Sequence, residues 1–429
     1  MIQLRLSEVP GLLRTPVGRW LLMRAAVYRA WPMLRILAVA WRRVVVRRTR
    51  IVAVVGSLGK STTAHAMSTV LGSGREMEVL SNQFGFLAAK ILAIRPGQPW
   101  AVVEVGVSAP GQMQAYADLI RPDITVVTSV AGEHLSSFKN LEVTRAEKAA
   151  MVEATDPEGL VVLNHDDPNV RWMAGRARAR VVTFGTGDDC DVRGSGVRVC
   201  WPHGIELTVR AGGETRELRA GLIGLHMAYP VLAAVAVATA TGADLDSVAR
   251  RVERVRPVPG RMQPLRINGG AWLLRDDFKA AEESLWAAFE TLAEIPAVRK
   301  TVVLGDIEEP QGPQGPRYAA LGKRVAEVAD RAFFVGNCDD RWAVGAVRGG
   351  MPRDAVHKCG SRIAEVAREL STGLLQDEVV LIKGRSTQRL ERLSLMLAGR
   401  QVRCDLKLCN AVSLSCETCP MLTRPHGTT

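Results

Sequence analysis

The sequence predicts an α/β protein of two units, the first organised on a mainly parallel sheet. Three observations predict it. From Arg50 to about Val258, apolar runs of β character alternate with helical stretches, the pattern of parallel strands covered by crossover helices. Between the first run and the first helix lies RIVAVVGSLGKSTT, residues 50–63, a glycine turn of phosphate-binding type. Farther on, Val258-Pro-Gly-Arg-Met262, preceded by Pro257, reads as a hinge into a second α/β unit. A chain of 429 residues with 47% hydrophobic content is long enough to give both units full cores.

The front segment comes first. Residues 1–50 hold eleven arginines, no lysine and one acid, Glu8, which is +10 of the chain's net +12. The basicity therefore belongs to one segment, and a nucleic-acid groove spread over the fold is not indicated. Arg24, Arg29 and Arg35 interrupt the apolar character, and Pro32 kinks or stops a helix. No stretch approaches the ~20 apolar residues of a spanning helix, and none resembles a signal peptide. Trp20, Trp31 and Trp41 accompany the arginines. Two readings stay open: a helix over residues 11–50 lying in an anionic membrane interface at the inner face, and a helical pair packed on the protein's own surface with snorkelling arginines. An organellar transit peptide is a third.

The phosphate-type turn follows the strand Ile51–Val55. Gly56 and Gly59 let the backbone approach an anion without a Cβ in the way, with Ser57 between them. The next helix, Lys60–Gly72, offers unpaired N–H groups and the positive end of its dipole. Lys60 adds charge for the outer phosphates, and Ser61 or Thr62 can hold Mg²⁺. Only two residues separate the glycines, where the common pattern has four. Further strands are expected at Ala101–Val105, Ile124–Val130, Leu160–Asn164 and Arg180–Gly185, with helices at Gly111–Ile120 and Leu141–Ala154. Ligands in such sheets sit beyond the carboxyl ends of strands. Glu104 lies there, and a carboxylate in an apolar strand is costly unless paired or metal-bound. His134, alone, reads as a loop histidine, and Lys148 as a surface lysine. Residues 221–242, rich in Ala and Val, read as a buried helix.

In the second unit, strands are expected at Thr301–Leu304 and Val379–Lys383. Asp276 and Lys383 fall at strand ends, where a nucleotide or substrate role competes with a plain structural one. Eight cysteines are too few for a disulfide scaffold, which points to a reducing cytoplasm. Four crowd the tail: Cys404, Cys409, Cys416 and Cys419. Four thiolates can close a tetrahedral zinc site; free thiols or redox chemistry remain alternatives.

Five ordered motifs, GSLGKSTT, EVG, PDITVVTSVAGEHL, AEKAAM and VVLNHDD, resemble the Mur ligase family, which joins a carboxylic acid to an amine using ATP. The wording is nearest the branch that adds D-alanyl-D-alanine to a muramyl tripeptide, and the match spans most of residues 50–400. The resemblance implies a central P-loop ATPase-type domain over residues 50–258 and a smaller Rossmann-like domain over 259–400, between an arginine-rich segment (1–49) and a cysteine-rich tail (401–429). It implies ATP and Mg²⁺ as cofactors, an acyl-phosphate intermediate, and small-molecule acid and amine substrates. Lys60 would bind the γ-phosphate. Ser61 or Thr62, Glu104 and His134 would serve magnesium, and Lys148 would be carbamylated into a further metal ligand. Arg261 would reach the phosphates, Asp276 would bind the nucleotide, and Lys383 would lie near substrate.

Two departures stand out. The family's glycine-x-histidine motif is followed four residues later by an adenine-holding asparagine; here His226 is kept but that position is Pro230. Near Asp276, Lys279, Ala281 and Glu282 replace the family's Asn, Asn and Pro. These favour the alternative of a catalytically degraded nucleotide-binding partner or scaffold. A P-loop ATPase doing mechanical or signalling work is a third reading. The fifty residues before the loop are too few for the family's UDP-sugar domain, so an acid other than a conventionally held UDP-muramyl peptide is expected.

Overall fold

In the computed structural model, residues 9–73, 82–132, 138, 140–310, 312–411 and 414–424 are described. The chain divides into two compact units. One holds residues 24–222 and 226–256; the other holds 257–429 with 1–23 and 223–225.

The first unit is built on eight strands: β1 (Arg50–Val55), β2 (Trp100–Glu104), β3 (Ile124–Val127), β4 (Leu160–Asn164), β5 (Arg180–Gly185), β6 (Val192–Cys200), β7 (Gly204–Ala211) and β8 (Glu214–Ala220). Their order is β2-β1-β3-β4-β5-β6-β7-β8. Strands β1 to β5 run parallel, while β6, β7 and β8 form an antiparallel ribbon. The central parallel strands β1, β3 and β4 are apolar runs with both faces covered: Ile51 to Val55 are fully buried, as are Val161 to Leu163. The expected helices appear at Lys60–Leu71, Gln112–Ile120 and Leu141–Glu153. The Ala/Val run forms the helix Ala228–Ala240, buried from Pro230 to Ala238. The antiparallel ribbon departs from the expected alternation. Its strands are rich in charged residues and alternate instead of running apolar, as a sheet with one wet face does.

The front segment folds as helices Pro16–Arg29 and Trp31–Val44. Pro32 stands in the first turn of the second helix, where its missing N–H costs nothing. The break at Ala30 therefore lies just before the proline. Trp31 packs edge-on to Phe84 and Tyr116, and the Trp41 indole donates to the Ile94 carbonyl at 3.1 Å. Arg42 is buried and donates to the carbonyls of Val46, Thr49, Ile120 and Arg121 and to the Asp123 carboxylate at 2.7 Å. Asp123 also accepts the Ile51 N–H at 2.6 Å, so one carboxylate ties the front helix to the start of β1.

The second unit carries β9 (Gln263–Arg266), β10 (Trp272–Asp276), β11 (Lys300–Leu304), β12 (Arg331–Val335), β13 (Val356–Gly360) and β14 (Val379–Lys383), ordered β13-β12-β11-β14-β10-β9. All pairs are parallel except β9 with β10. The described part of the tail folds onto this unit without helix or strand. Arg389 donates to the carbonyls of Ala411 and Leu414, and Arg392 to those of Cys404 and Leu406. Glu391 accepts the Ser415 hydroxyl and the Cys416 N–H. Charged side chains thus stand in for the ladder that the tail lacks.

Candidate functional site

The turn after β1 is fixed by the chain that follows β3. Ser57 N–H donates to the Ser129 carbonyl at 2.8 Å, and Leu58 N–H to the Ser129 hydroxyl at 2.9 Å. The Thr128 hydroxyl donates to the Leu58 carbonyl at 2.6 Å, and the Ala131 N–H donates to the Ser57 hydroxyl at 2.9 Å. Gly56, at φ +145°, passes so close to Thr128 that a Cβ would collide with its hydroxyl. Gly59, at φ +79°, sits at the N-cap of the helix Lys60–Leu71. Gly59 has no side chain to cap that helix, and a helix N-terminus of this kind favours an anion.

Two lysines converge on this turn. Lys60 folds back, its ammonium donating to the carbonyls of Gly56 at 2.9 Å and Ser57 at 2.5 Å. Lys148, buried on the helix Leu141–Glu153, donates to the same Gly56 oxygen at 2.9 Å. Burial, reinforced by the Lys60 charge, holds the Lys148 amine well below its ordinary range, against the pull of Glu147. The surface reading of Lys148 is thereby corrected: tertiary packing, invisible in a lone lysine, turns it inward. Glu147 is occupied in capping the helix Gln112–Ile120, accepting the N–H groups of Gly111 and Met113 at 2.7 Å.

Glu104 ends β2 in register with Val54 of β1, which brings it beside the turn. Burial alone would push its carboxyl up. Lys60, Lys90 and hydrogen bonds from Asn82 and Ser61 outweigh that and hold it below the usual carboxylate range. Asn82, at 2.9 Å, was not singled out from sequence. Asp167 was not either. It accepts the Val130 N–H at 2.7 Å and caps the short helix Pro168–Arg171; the Asp-Pro step carried that signal. Thr62 is buried and Ser61 half-buried on the helix that begins at Lys60. His134 lies outside the described residues.

In the second unit, Lys383 and Asp276 pair across β14 and β10. The fully buried ammonium bonds the Asp276 carboxylate and the Lys279 carbonyl. Arg261 lies over the Phe278 ring, 4.5 Å from its centroid, and Phe278 is exposed. Arg275 meets Asp277 at 3.0 Å; burial pushes the Asp277 carboxyl up despite that partner.

The four tail cysteines do not form a ligand cluster among the described residues, so the expected zinc site finds no support there. Among the described residues, the one trio of ligand-type atoms mutually within 4.8 Å is His165, Asp166 and Cys190. All eight cysteines are free thiols. Burial pushes the thiols of Cys416 and Cys419 up, the latter helped by neighbouring Cys404 and Cys409.

The model of the Mur ligase middle domain matches residues 54–238, and that of the Mur ligase glutamate ligase domain matches residues 260–386. The chain belongs to the Mur ligase family. Its relatives include the UDP-N-acetylmuramoyl-tripeptide–D-alanyl-D-alanine ligase of Escherichia coli, 28% identical over 67% of this chain and 64% of that one. The enzyme of the same name from Mycobacterium bovis is 31% identical over 60% of this chain and 52% of that one. This Mur ligase chain thus spans between half and just under two thirds of the length of those relatives. The fold matches the crystal structure of the Thermotoga maritima MurF ligase in complex with ADP, with a TM-score of 0.73 at 20% identity, over 86% of this chain and 84% of that one.

Proposed function

We propose that this chain is an ATP-dependent ligase that joins a carboxylic acid to an amine through an acyl phosphate. The observation that carries the reading is the convergence of Lys60 and Lys148 on the Gly56 carbonyl, beside a Glu104 held anionic. The residues fit a magnesium-bound triphosphate. Gly56 and Gly59 turn the backbone at positive φ, the helix Lys60–Leu71 begins at a glycine N-cap, and the Glu104 carboxylate has a depressed pKa. ATP is read as a substrate; magnesium, held by Ser61 or Thr62 with Glu104 and His134, would supply charge neutralisation.

The chain's own residues then do the following. Lys60 exchanges its two loop carbonyls for outer phosphate oxygens and neutralises charge that builds in transfer. A substrate carboxylate oxygen attacks the γ-phosphorus, the bond to the ADP oxygen breaks, and an acyl phosphate forms. An amine attacks its carbonyl carbon, expels inorganic phosphate and loses a proton to leave the amide. Lys148, its amine made easier to deprotonate by burial, is suited to take up CO₂ as a carbamate with release of one proton, which would make it an anionic ligand. Arg261 offers a guanidinium to phosphates, and Asp276, steered by Lys383, an acceptor to the nucleotide. The relatives' names make a UDP-muramyl peptide and D-alanyl-D-alanine the first substrate pair to try. The cytoplasm holds the ATP for such a reaction.

The scaffold alternative draws on Pro230 and the Asp276–Glu282 stretch. The packing that turns Lys60 and Lys148 toward one oxygen, with Glu104 beside the turn, favours catalysis. The test is ADP release by the purified chain with magnesium and ATP, given candidate acid, candidate amine, both or neither. Turnover that needs both and disappears in Lys60→Ala is the expected result. Robust turnover with neither would remove the ligase reading.

A further inference from the structure

The helix Trp31–Val44 has two apolar sides, and among the described residues only one of them is covered. Its inner side packs Trp31, Leu34, Val39 and Trp41 against the first unit's core, with Ala38 fully buried among them. Its outer side presents Met33, Ile36, Leu37, Ala40 and Val44 to solvent. The spacing of three, one, three and four places them on one face. Exposure there is 60% for Met33, 71% for Ile36, 50% for Leu37 and 72% for Val44. A helix on the surface of a water-soluble domain ordinarily turns charge outward.

Charge surrounds the row instead. Arg29 before it and Arg43, Arg47 and Arg48 after it are exposed. No acidic residue occurs among the described residues from 9 to 103. The carboxylates that reach this helix are already spoken for: Asp118 faces Arg35 at 3.5 Å, and Asp123 faces the buried Arg42. The face is therefore apolar along its middle and cationic at its ends. Among the described residues no helix is long and apolar enough to cross a membrane, so contact through this face is peripheral.

We propose that the outer face of the helix Trp31–Val44 docks on an anionic lipid bilayer. The row Met33–Val44 enters the acyl boundary, while the flanking arginines meet lipid phosphates. This goes beyond the ligase reading and does not rest on it. A second copy of the chain would cover the apolar row, but would bring the same arginines face to face. A nucleic acid would answer the arginines and leave the apolar row wet.

The test is co-sedimentation of the full chain with phosphatidylglycerol–phosphatidylcholine vesicles and with pure phosphatidylcholine vesicles. Binding is expected to the anionic vesicles alone and to weaken as salt is raised. The double variant Ile36→Glu/Leu37→Glu should lower the affinity roughly tenfold or more. The triple variant Arg43→Gln/Arg47→Gln/Arg48→Gln should lower it too and flatten the salt dependence. Both should keep the wild-type unfolding midpoint, since the replaced side chains face solvent. Failure to bind anionic vesicles would overturn the proposal, as would equal binding by the Ile36→Glu/Leu37→Glu variant. So would a dimer in sedimentation velocity that this variant dissolves, or tighter retention by duplex DNA than by vesicles.

Discussion

In the first unit, two lysines aim at one backbone oxygen, whereas in the second unit buried cations are matched by carboxylates. Lys60 and Lys148 meet at the Gly56 carbonyl. Lys383 meets Asp276, Arg275 meets Asp277, and Arg299 and Arg331 share Glu378. Both arrangements stand on parallel strands, so fold alone does not explain the contrast. Buried charge that is matched within the chain is costly to break, because losing one partner strands the other. Lysines gathered on a single carbonyl, on a turn shaped for an anion, suit a charge that comes from outside.

The largest expected effect breaks the first arrangement. Lys60→Ala should lower turnover about a thousandfold or more, with the unfolding midpoint little changed; phosphate release measures it. In the second unit the cost should fall on stability instead. Asp276→Asn leaves a buried ammonium without its carboxylate and should destabilise that unit by about 3–5 kcal/mol in denaturant unfolding. The double variant Asp276→Asn/Lys383→Met should recover part of it. If Asp276→Asn proved neutral for stability, the contrast between the two regions would fail.

Lys148 sharpens the comparison, because its folded-state pKa is depressed. Below the ordinary lysine value of 10.5, the unfolded chain binds more protons than the folded one. Stability therefore rises with pH toward that value. Lys148→Met should stabilise the ligand-free chain by about 1–3 kcal/mol near neutral pH. The gain should shrink as pH approaches 10.5, while activity is lost. Thermal unfolding across pH reads this directly. A wild-type mass raised by one carbamate in bicarbonate, and not raised in Lys148→Met, would support the modified form.

The smallest effect belongs to Asn82. Its hydrogen bond helps hold the Glu104 carboxyl below the ordinary range. That ionisation contributes stability above the usual carboxylate pKa, and the contribution is lost as pH falls through the depressed value. Asn82→Ala should cost about 1 kcal/mol and move the loss to higher pH. The magnesium requirement for turnover should rise several-fold.

How much of this was legible in the sequence depends on the range of the interaction. Strands at Leu160–Asn164 and Val379–Lys383 fall where the apolar runs do, because a strand buried on both faces writes its burial into consecutive residues. The phosphate turn was legible for a similar reason: glycine, lysine and hydroxyl residues sit within one short window. The β6–β8 ribbon was not read, since its charged, alternating strands carry no apolar run. The inward turn of Lys148, the support of Glu104 by Asn82 and the Asp276–Lys383 pair are long-range. No local pattern around Lys148 distinguishes a lysine that meets Gly56 from one that meets water. The front segment was half legible: its tryptophans and arginines left a membrane-interface helix and a surface-packed helical pair both open, and the tertiary structure shows Trp31 and Trp41 packed on the first unit's core.

The most direct measurement is calorimetric titration of magnesium–ATP into the wild-type chain and into Lys60→Ala. The wild type should bind, with affinity that depends on magnesium, and the folded variant should bind roughly a hundredfold more weakly. Equal affinities in the two proteins, or binding indifferent to magnesium, would contradict a triphosphate seated on the Gly56–Lys60 turn.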